Sequence, residues 1–231
     1  SNAVRGVFAG GASSDVIQYV TISTTGNATD FGDLTKAKQE VGSASNGTRG
    51  VFAGSNVTEN NNEIEYITIA NTGNATDFGD LTVGRSRLAG VSSTTRGVFG
   101  GGSNTNTIDY ITIDTTGNAT DFGDLTVART FATAAASNNT RGVFAGGSGF
   151  DKGNTIDYIT IGTTGNATDF GDLTINQYFV TAACSETRGV FGGYDSNNNG
   201  TMNYITIATT GNATDFGDLY SAIGYSSCAG D

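Results

Sequence analysis

A self-similar segment recurs five times along this chain of 231 residues, and that periodicity constrains the fold more than any other feature. Arg-Gly-Val-Phe begins at Arg5, Arg49, Arg96, Arg141 and Arg188, and Gly-Asn-Ala-Thr-Asp-Phe-Gly-Asp-Leu begins at Gly26, Gly73, Gly117, Gly165 and Gly211. The spacings are 44, 47, 45 and 47 residues by the first marker and 47, 44, 48 and 46 by the second. A period of about 46 residues fits a four-stranded propeller blade, whereas ankyrin and TPR units are shorter and helical.

The third copy shows the plan of each unit. A small-residue stretch from Leu88 to Ser93 leads into RGVFGGG, a polar loop SNTNT, the segment IDYITI, a turn TTGNAT, and DFGDL. IDYITI is rich in β-branched and aromatic residues with apolar groups on both alternating faces, as a strand covered on two sides requires. The 35 glycines and the lack of any 3.6-residue apolar stripe argue against helices. The stretches AGVSS, ATAAAS and VTAACS suit the strand nearest a crowded central axis. The fold expected is all-β: a five-bladed β-propeller of four-stranded antiparallel blades, one domain over 4–231, with residues 1–3 a tag remnant. Ser221 to Gly230 resembles the inner-strand stretch, so it is expected to close the ring as the inner strand of the N-terminal blade, pairing with the strand of Val7 and Phe8.

Composition then removes whole classes of chemistry. With no histidine, the commonest general base, the usual Ser-His and Cys-His pairs and most zinc sites are gone. A formal net charge of −11 opposes nucleic acid and anionic membranes, which need a basic footprint. No run approaches the ~18 apolar residues of a membrane span, and no charged segment precedes an apolar one in the manner of a signal peptide. No cofactor is expected.

The order of Arg, small inner strand, Gly-Gly after the second strand, aromatic third strand and outer strand resembles a Kelch-type propeller. Phe31, Phe78, Phe122, Phe170 and Phe216 stand where the Kelch Trp is usual. More specifically, the repeated YITI…TGNATDFGDLT…TRGVFGGG is similar to repeats of structural or tail-fibre proteins of tailed phages, including those of cyanobacteria. The resemblance spans residues 4 to 230 and implies a virion component attached to the rest of a parent virion protein, without a known chemistry.

Candidate site residues follow from what repeats and what does not. The five Arg of RGVF are expected to pair with neighbouring aspartates or strand-end carbonyls and lock the blades. Asp30 and Asp33, repeated in every DFGD, could be cast as a glycosidase acid and base, but five identical pairs argue against one catalytic centre. Asn27, Asn74, Asn118, Asn166 and Asn212 open Asn-Ala-Thr sequons; glycosylation there is set against a Gly-Asn pair that supplies φ > 0 for the turn joining the third and fourth strands. Asp195, Asn197 and Asn199 imitate the start of a calcium loop, although Thr206 stands at its twelfth position, so a weak Ca²⁺ site is set against a polar hairpin loop. Cys184 and Cys228 are read as occupying matching places in adjacent inner strands, hence reduced, buried and unable to join.

Variation concentrates in the loops after each Gly-Gly and in the links between copies, all on one face of a meander. Aromatics outside the repeat fall there: Tyr178, Tyr194, Tyr220, Tyr225, Phe131, Phe150 and Phe179. Tyrosine rings beside Asn and Asp suit sugar C–H faces and hydroxyls. Tyr178, Tyr194, Asp195, Asn197, Phe150, Tyr220 and Tyr225 are therefore the candidate ligand-binding residues, with the alternative that Phe131 and Phe179 pack between inner strands. The reading is a non-enzymatic virion or fibre module that binds a glycan or a host-surface protein. The alternatives are a structural spacer or oligomerisation domain without ligand and, third, a glycoside hydrolase.

Overall fold

The computed structural model describes residues 4–57, 62–129, 134–147, 153–194 and 200–221, with Ala134 and Tyr194 as backbone alone. It contains five antiparallel sheets in chain order. The first has three strands, β1 (Arg5–Ala9), β2 (Ser14–Thr21) and β3 (Thr29–Lys38). The second comprises β4 (Gly42–Ser45), β5 (Arg49–Ala53), β6 (Glu63–Thr68) and β7 (Thr76–Asp80), and the third β8 (Ala89–Ser92), β9 (Arg96–Gly100), β10 (Thr105–Thr112) and β11 (Thr120–Arg129). The fourth comprises β12 (Ala134–Ser137), β13 (Arg141–Ala145), β14 (Thr155–Thr160) and β15 (Thr168–Asp172), and the fifth β16 (Tyr178–Cys184), β17 (Arg188–Tyr194), β18 (Thr201–Thr206) and β19 (Thr214–Asp218). Each sheet is a simple meander, so the chain is a propeller-like array of five blades. The fourth strand expected for the first blade, from Ser221 to Gly230, falls almost wholly outside the described residues.

Within a blade the outer strand carries a bulge. Ile108 pairs with Gly123 and Asp109 with Asp121, which leaves Phe122 unpaired between them. The displaced phenylalanine is 3% exposed and meets Tyr110 edge-on, with ring centroids 6.0 Å apart. The same Tyr–Phe pair occurs in every blade at 5.8–6.0 Å. The Arg96 guanidinium then covers the other side of Tyr110 at 4.2 Å from the ring centroid.

Between blades, two devices recur. Four of the five repeat Arg donate to a carbonyl of the following blade: Arg5 to Ile69, Arg49 to Ile113, Arg96 to Ile161 and Arg141 to Ile207, at 2.9–3.0 Å. Strand-end carbonyls are therefore partners of these four. The second device is the Gly-Asn-Ala turn, which lies on the outer strand of the preceding blade. Gly117 and Ala119 donate their N–H groups to the carbonyls of Phe78 and Asp80 at 2.7 Å, and the Asp80 N–H donates to Asn118 Oδ1 at 3.1 Å. Asn74, Asn166 and Asn212 accept in the same way from Asp33, Asp124 and Asp172. The positive φ that the Gly-Asn turn calls for belongs to the glycine, and the asparagine also clamps the neighbouring strand. Four apolar clusters fill the four junctions so made.

This clamp explains the glycine of the first four DFGD segments. A Cβ on Gly123, whose φ is 140°, would stand 2.6 Å from the backbone C and O of Gly165. Gly117 has a φ of 154° and open space around it. Gly123→Ala is therefore expected to cost about 3 kcal/mol and Gly117→Ala about 1 kcal/mol, since both carry backbone strain but one also meets rigid backbone. Urea denaturation checks this, and equal losses for the two variants would remove the clash from the account.

Candidate functional site

The two faces of the array differ in what their polar groups do. On the face of the Gly-Asn-Ala turns, a cleft of about 260 Å³ opens among the inner-strand hairpins and is lined by Asn46, Ser93, Thr94, Asn138, Asn139 and Glu186, among others. Its side chains are largely spent on their own turns. Asn46 Oδ1 accepts from the N–H groups of Thr48 and Arg49, Ser93 Oγ from those of Thr95 and Arg96, and Asn138 Oδ1 from that of Arg141.

On the opposite face, the links between blades turn inward. Arg85 is fully buried and pairs with the buried Asp109 on the third strand of the next blade, Nη1 to Oδ2 at 2.7 Å, and Arg129 pairs with Asp157 of β14 at 2.6 Å. Lys38 reaches Glu65 at 2.7 Å, and at the fourth junction the pair is neutral, Asn203 Nδ2 donating to Gln177 Oε1 at 3.3 Å. A threonine three residues before each link side chain also bonds the acceptor, as Thr82 does Asp109, Thr126 does Asp157 and Thr174 does Asn203, while the Thr35 N–H donates to Glu65. Burial pushes the Arg85 and Arg129 pKa below the usual arginine value, opposed by the charge and hydrogen bond of Asp109 and Asp157. Each link thus matches the blade it enters: long lysine with glutamate, arginine with aspartate, amide with amide.

Half of the variation read as ligand-directed is accordingly internal. The links TKAKQEV, TVGRSRL, TVARTFA and TINQYFV differ where they meet the interior, at Lys38, Arg85, Arg129 and Gln177. Their signal in the sequence is paired change: Glu65, Asp109, Asp157 and Asn203 follow the link residue some two dozen positions later in the same copy-to-copy order.

The sequence candidates distribute unevenly. Tyr178 and Tyr194 are brought together as cross-strand partners at the loop end of the fifth blade, Tyr178 being half-buried. Tyr220 follows the outer strand at that same end, and its side chain is fully exposed. Phe179 is buried, in keeping with the packing alternative. Phe131, Phe150, Asp195, Asn197, Asn199, Tyr225 and Cys228 lie outside the described residues. Cys184 is a free thiol on β16, only half-buried, with Sγ 3.7 Å from the Ser137 carbonyl.

No family model and no curated protein matches this sequence. Among solved structures, that of YjhT aligns over 98% of this chain and 84% of its own, with a TM-score of 0.77 at 8% sequence identity. At that identity the likeness establishes the all-β, propeller-type fold alone.

The buried pairs lead to a distinct expectation. Asp157→Ala leaves Arg129 charged without its partner in a closed site and should cost about 3–5 kcal/mol, whereas Arg129→Met with Asp157→Leu removes both charges and should recover most of that loss. Comparing the denaturant midpoints of single and double variants tests it. A double variant as unstable as the single one would mean that the pair is not what the junction depends on.

Proposed function

We propose that this chain is a non-enzymatic propeller module of a phage-like virion or fibre protein. In this reading the 221–230 segment closes the five blades into a ring, and the variable-loop face binds a glycan or a host-surface protein. One observation carries it: three aromatics that are not part of the repeat, Tyr178, Tyr194 and Tyr220, gather at the loop end of a single blade. The recurring tyrosines of the other positions are engaged between a phenylalanine and an arginine. A fully exposed tyrosine has no packing role of its own, and a ring beside hydroxyl and amide groups suits the apolar face and hydroxyls of a sugar. The net charge of −11 suits a neutral or cationic partner.

The internal use of the link residues favours one alternative, a spacer domain of the fibre, in which variation serves blade order alone. Glycan-array binding separates the two. Tyr178→Ala or Tyr220→Ala should abolish retention of whatever the wild type binds, since loss of a stacked ring costs about 1–3 kcal/mol, with little change in melting temperature. Tyr110→Ala should instead leave binding intact and destabilise the fold by about 3–5 kcal/mol. A wild-type protein that retains no glycan and no surface protein leaves the spacer reading standing.

A further inference from the structure

On the variable-loop face, one place in the link keeps a bulky side chain where the backbone favours glycine. Glu40, Arg87 and Phe179 each stand six residues after the leucine that ends DFGDL, at Leu34, Leu81 and Leu173. All three are left-handed, with φ of 59°, 61° and 47°. That conformation strains a residue of this size. The chain meets the same demand with glycine where the second strand of a blade ends, at Gly10, Gly54, Gly101 and Gly146. A side chain kept against the strain therefore has a task. For Phe179 the task is packing, since it is buried. Glu40 and Arg87 differ: their side chains are 18% and 30% exposed and form an ion pair, Arg87 Nε donating to Glu40 Oε2 at 2.8 Å. An ion pair so open to water contributes little to stability. Nor is it needed to tie the links together. The Arg87 N–H already donates to the Glu40 carbonyl at 2.8 Å, and the Asn56 N–H to the Gln39 carbonyl at 3.3 Å.

The pair instead holds a set of polar groups that is only half used. Asn56 Nδ2 donates to the same Glu40 Oε2 at 2.7 Å, so one carboxylate oxygen takes both donors. Among the described residues, Glu40 Oε1, Asn56 Oδ1 and the Arg87 Nη1 and Nη2 groups have no hydrogen-bond partner. The Glu40 and Arg87 atoms are not sealed from solvent, unlike Arg85 Nε and Arg129 Nε beneath the links. A fixed acceptor thus stands beside fixed donors, and the two charges cancel. A carboxylate or sulfate ligand would be repelled by Glu40 and an ammonium by Arg87, whereas one of two adjacent hydroxyls can donate to the carboxylate while the other accepts from the guanidinium.

We propose that Glu40, Arg87 and Asn56 form a binding site for the vicinal diol of a neutral sugar. The proposal rests on the glycan reading above and deepens it by naming a second contact point and the class of sugar. Tyr178 stands five residues after Leu173, as Gln39 and Ser86 do after Leu34 and Leu81, so the tyrosine and the polar cluster occupy the same turn of the link in different blades.

The test uses the full chain and the double variant Glu40→Gly with Arg87→Gly, in which the backbone conformation is favoured and only the side chains are lost. Its melting temperature should stay within about 3 °C of wild type. Retention of neutral oligosaccharides on a glycan array should fall at least tenfold. A large drop in melting temperature would make the pair a structural stitch and overturn the proposal, as would unchanged glycan retention. A second probe does not depend on the array. The Arg87 Nε–H NMR signal, assigned by its loss in the variant, should shift on addition of methyl mannoside and not with cyclohexanol, which has a single hydroxyl. No shift with the mannoside, or a larger one with glucuronate, overturns the site. Array binding that is lost in Tyr178→Ala and Tyr220→Ala but kept in the glycine variant sinks this site and leaves the tyrosine reading. A mannoside shift at Arg87 without array binding supports this site and counts against that reading.

Discussion

Everything in this array depends on one contact made of backbone: the Gly-Asn-Ala turn of each blade lying on the outer strand of the blade before it. Peptide groups do the bonding, with Gly73, Gly117, Gly165 and Gly211 donating to the phenylalanine carbonyls and the following alanines to the aspartate carbonyls. Such a contact demands that nothing project from the strand beneath, which is why Gly32, Gly79, Gly123 and Gly171 have a neighbouring backbone where a Cβ would go. Beside it, a bulge leaves Phe78 or Phe122 unpaired and turned into the core against its tyrosine. The near-identity of GNATDFGDL in five copies is the imprint of that geometry.

A second layer sits inside the first. Identical clamps cannot distinguish one neighbour from another, and the buried side chains at the links can. Lys38 with Glu65, Arg85 with Asp109, Arg129 with Asp157 and Gln177 with Asn203 are each matched in length and charge, and exchanging members between junctions would bury an unpaired charge or open a void. Near-identical repeats invite misordered packing during folding, and matched pairs of this kind penalise it. The variation not used in these buried pairs lies in the loops after Gly-Gly.

The strands, their order and the blade period were legible in the sequence because they rest on local signals: β-branched runs, Gly-Gly turns and a fixed spacing. The role of the repeat arginines was half legible, since carbonyls and aspartates were equal candidates until Ile69, Ile113, Ile161 and Ile207 were placed within reach. Asn118 was read too narrowly because its partner, the Asp80 N–H, is a backbone atom of another copy, which carries no residue-type signature. The burial of Arg85 and Arg129 was not legible for a related reason. A charged residue in a variable polar link looks solvated, and only the folded path shows that the link dips under the next blade. Of the candidate site, the pairing of Tyr178 with Tyr194 and the exposure of Tyr220 could not be read without the meander that brings β16, β17 and β19 to one end.

By itself the sequence determined that this chain is built from five equivalent β units, that it lacks the histidine chemistry of most hydrolases, and where its copies agree or differ. Repetition is a property of the string, so no structure was needed to see it. The tertiary structure decided which differences face solvent and which face another blade. Those depend on contacts between residues tens of positions apart, where Phe8 and Phe99 occupy the same place in the repeat and yet one is open to water and the other is sealed.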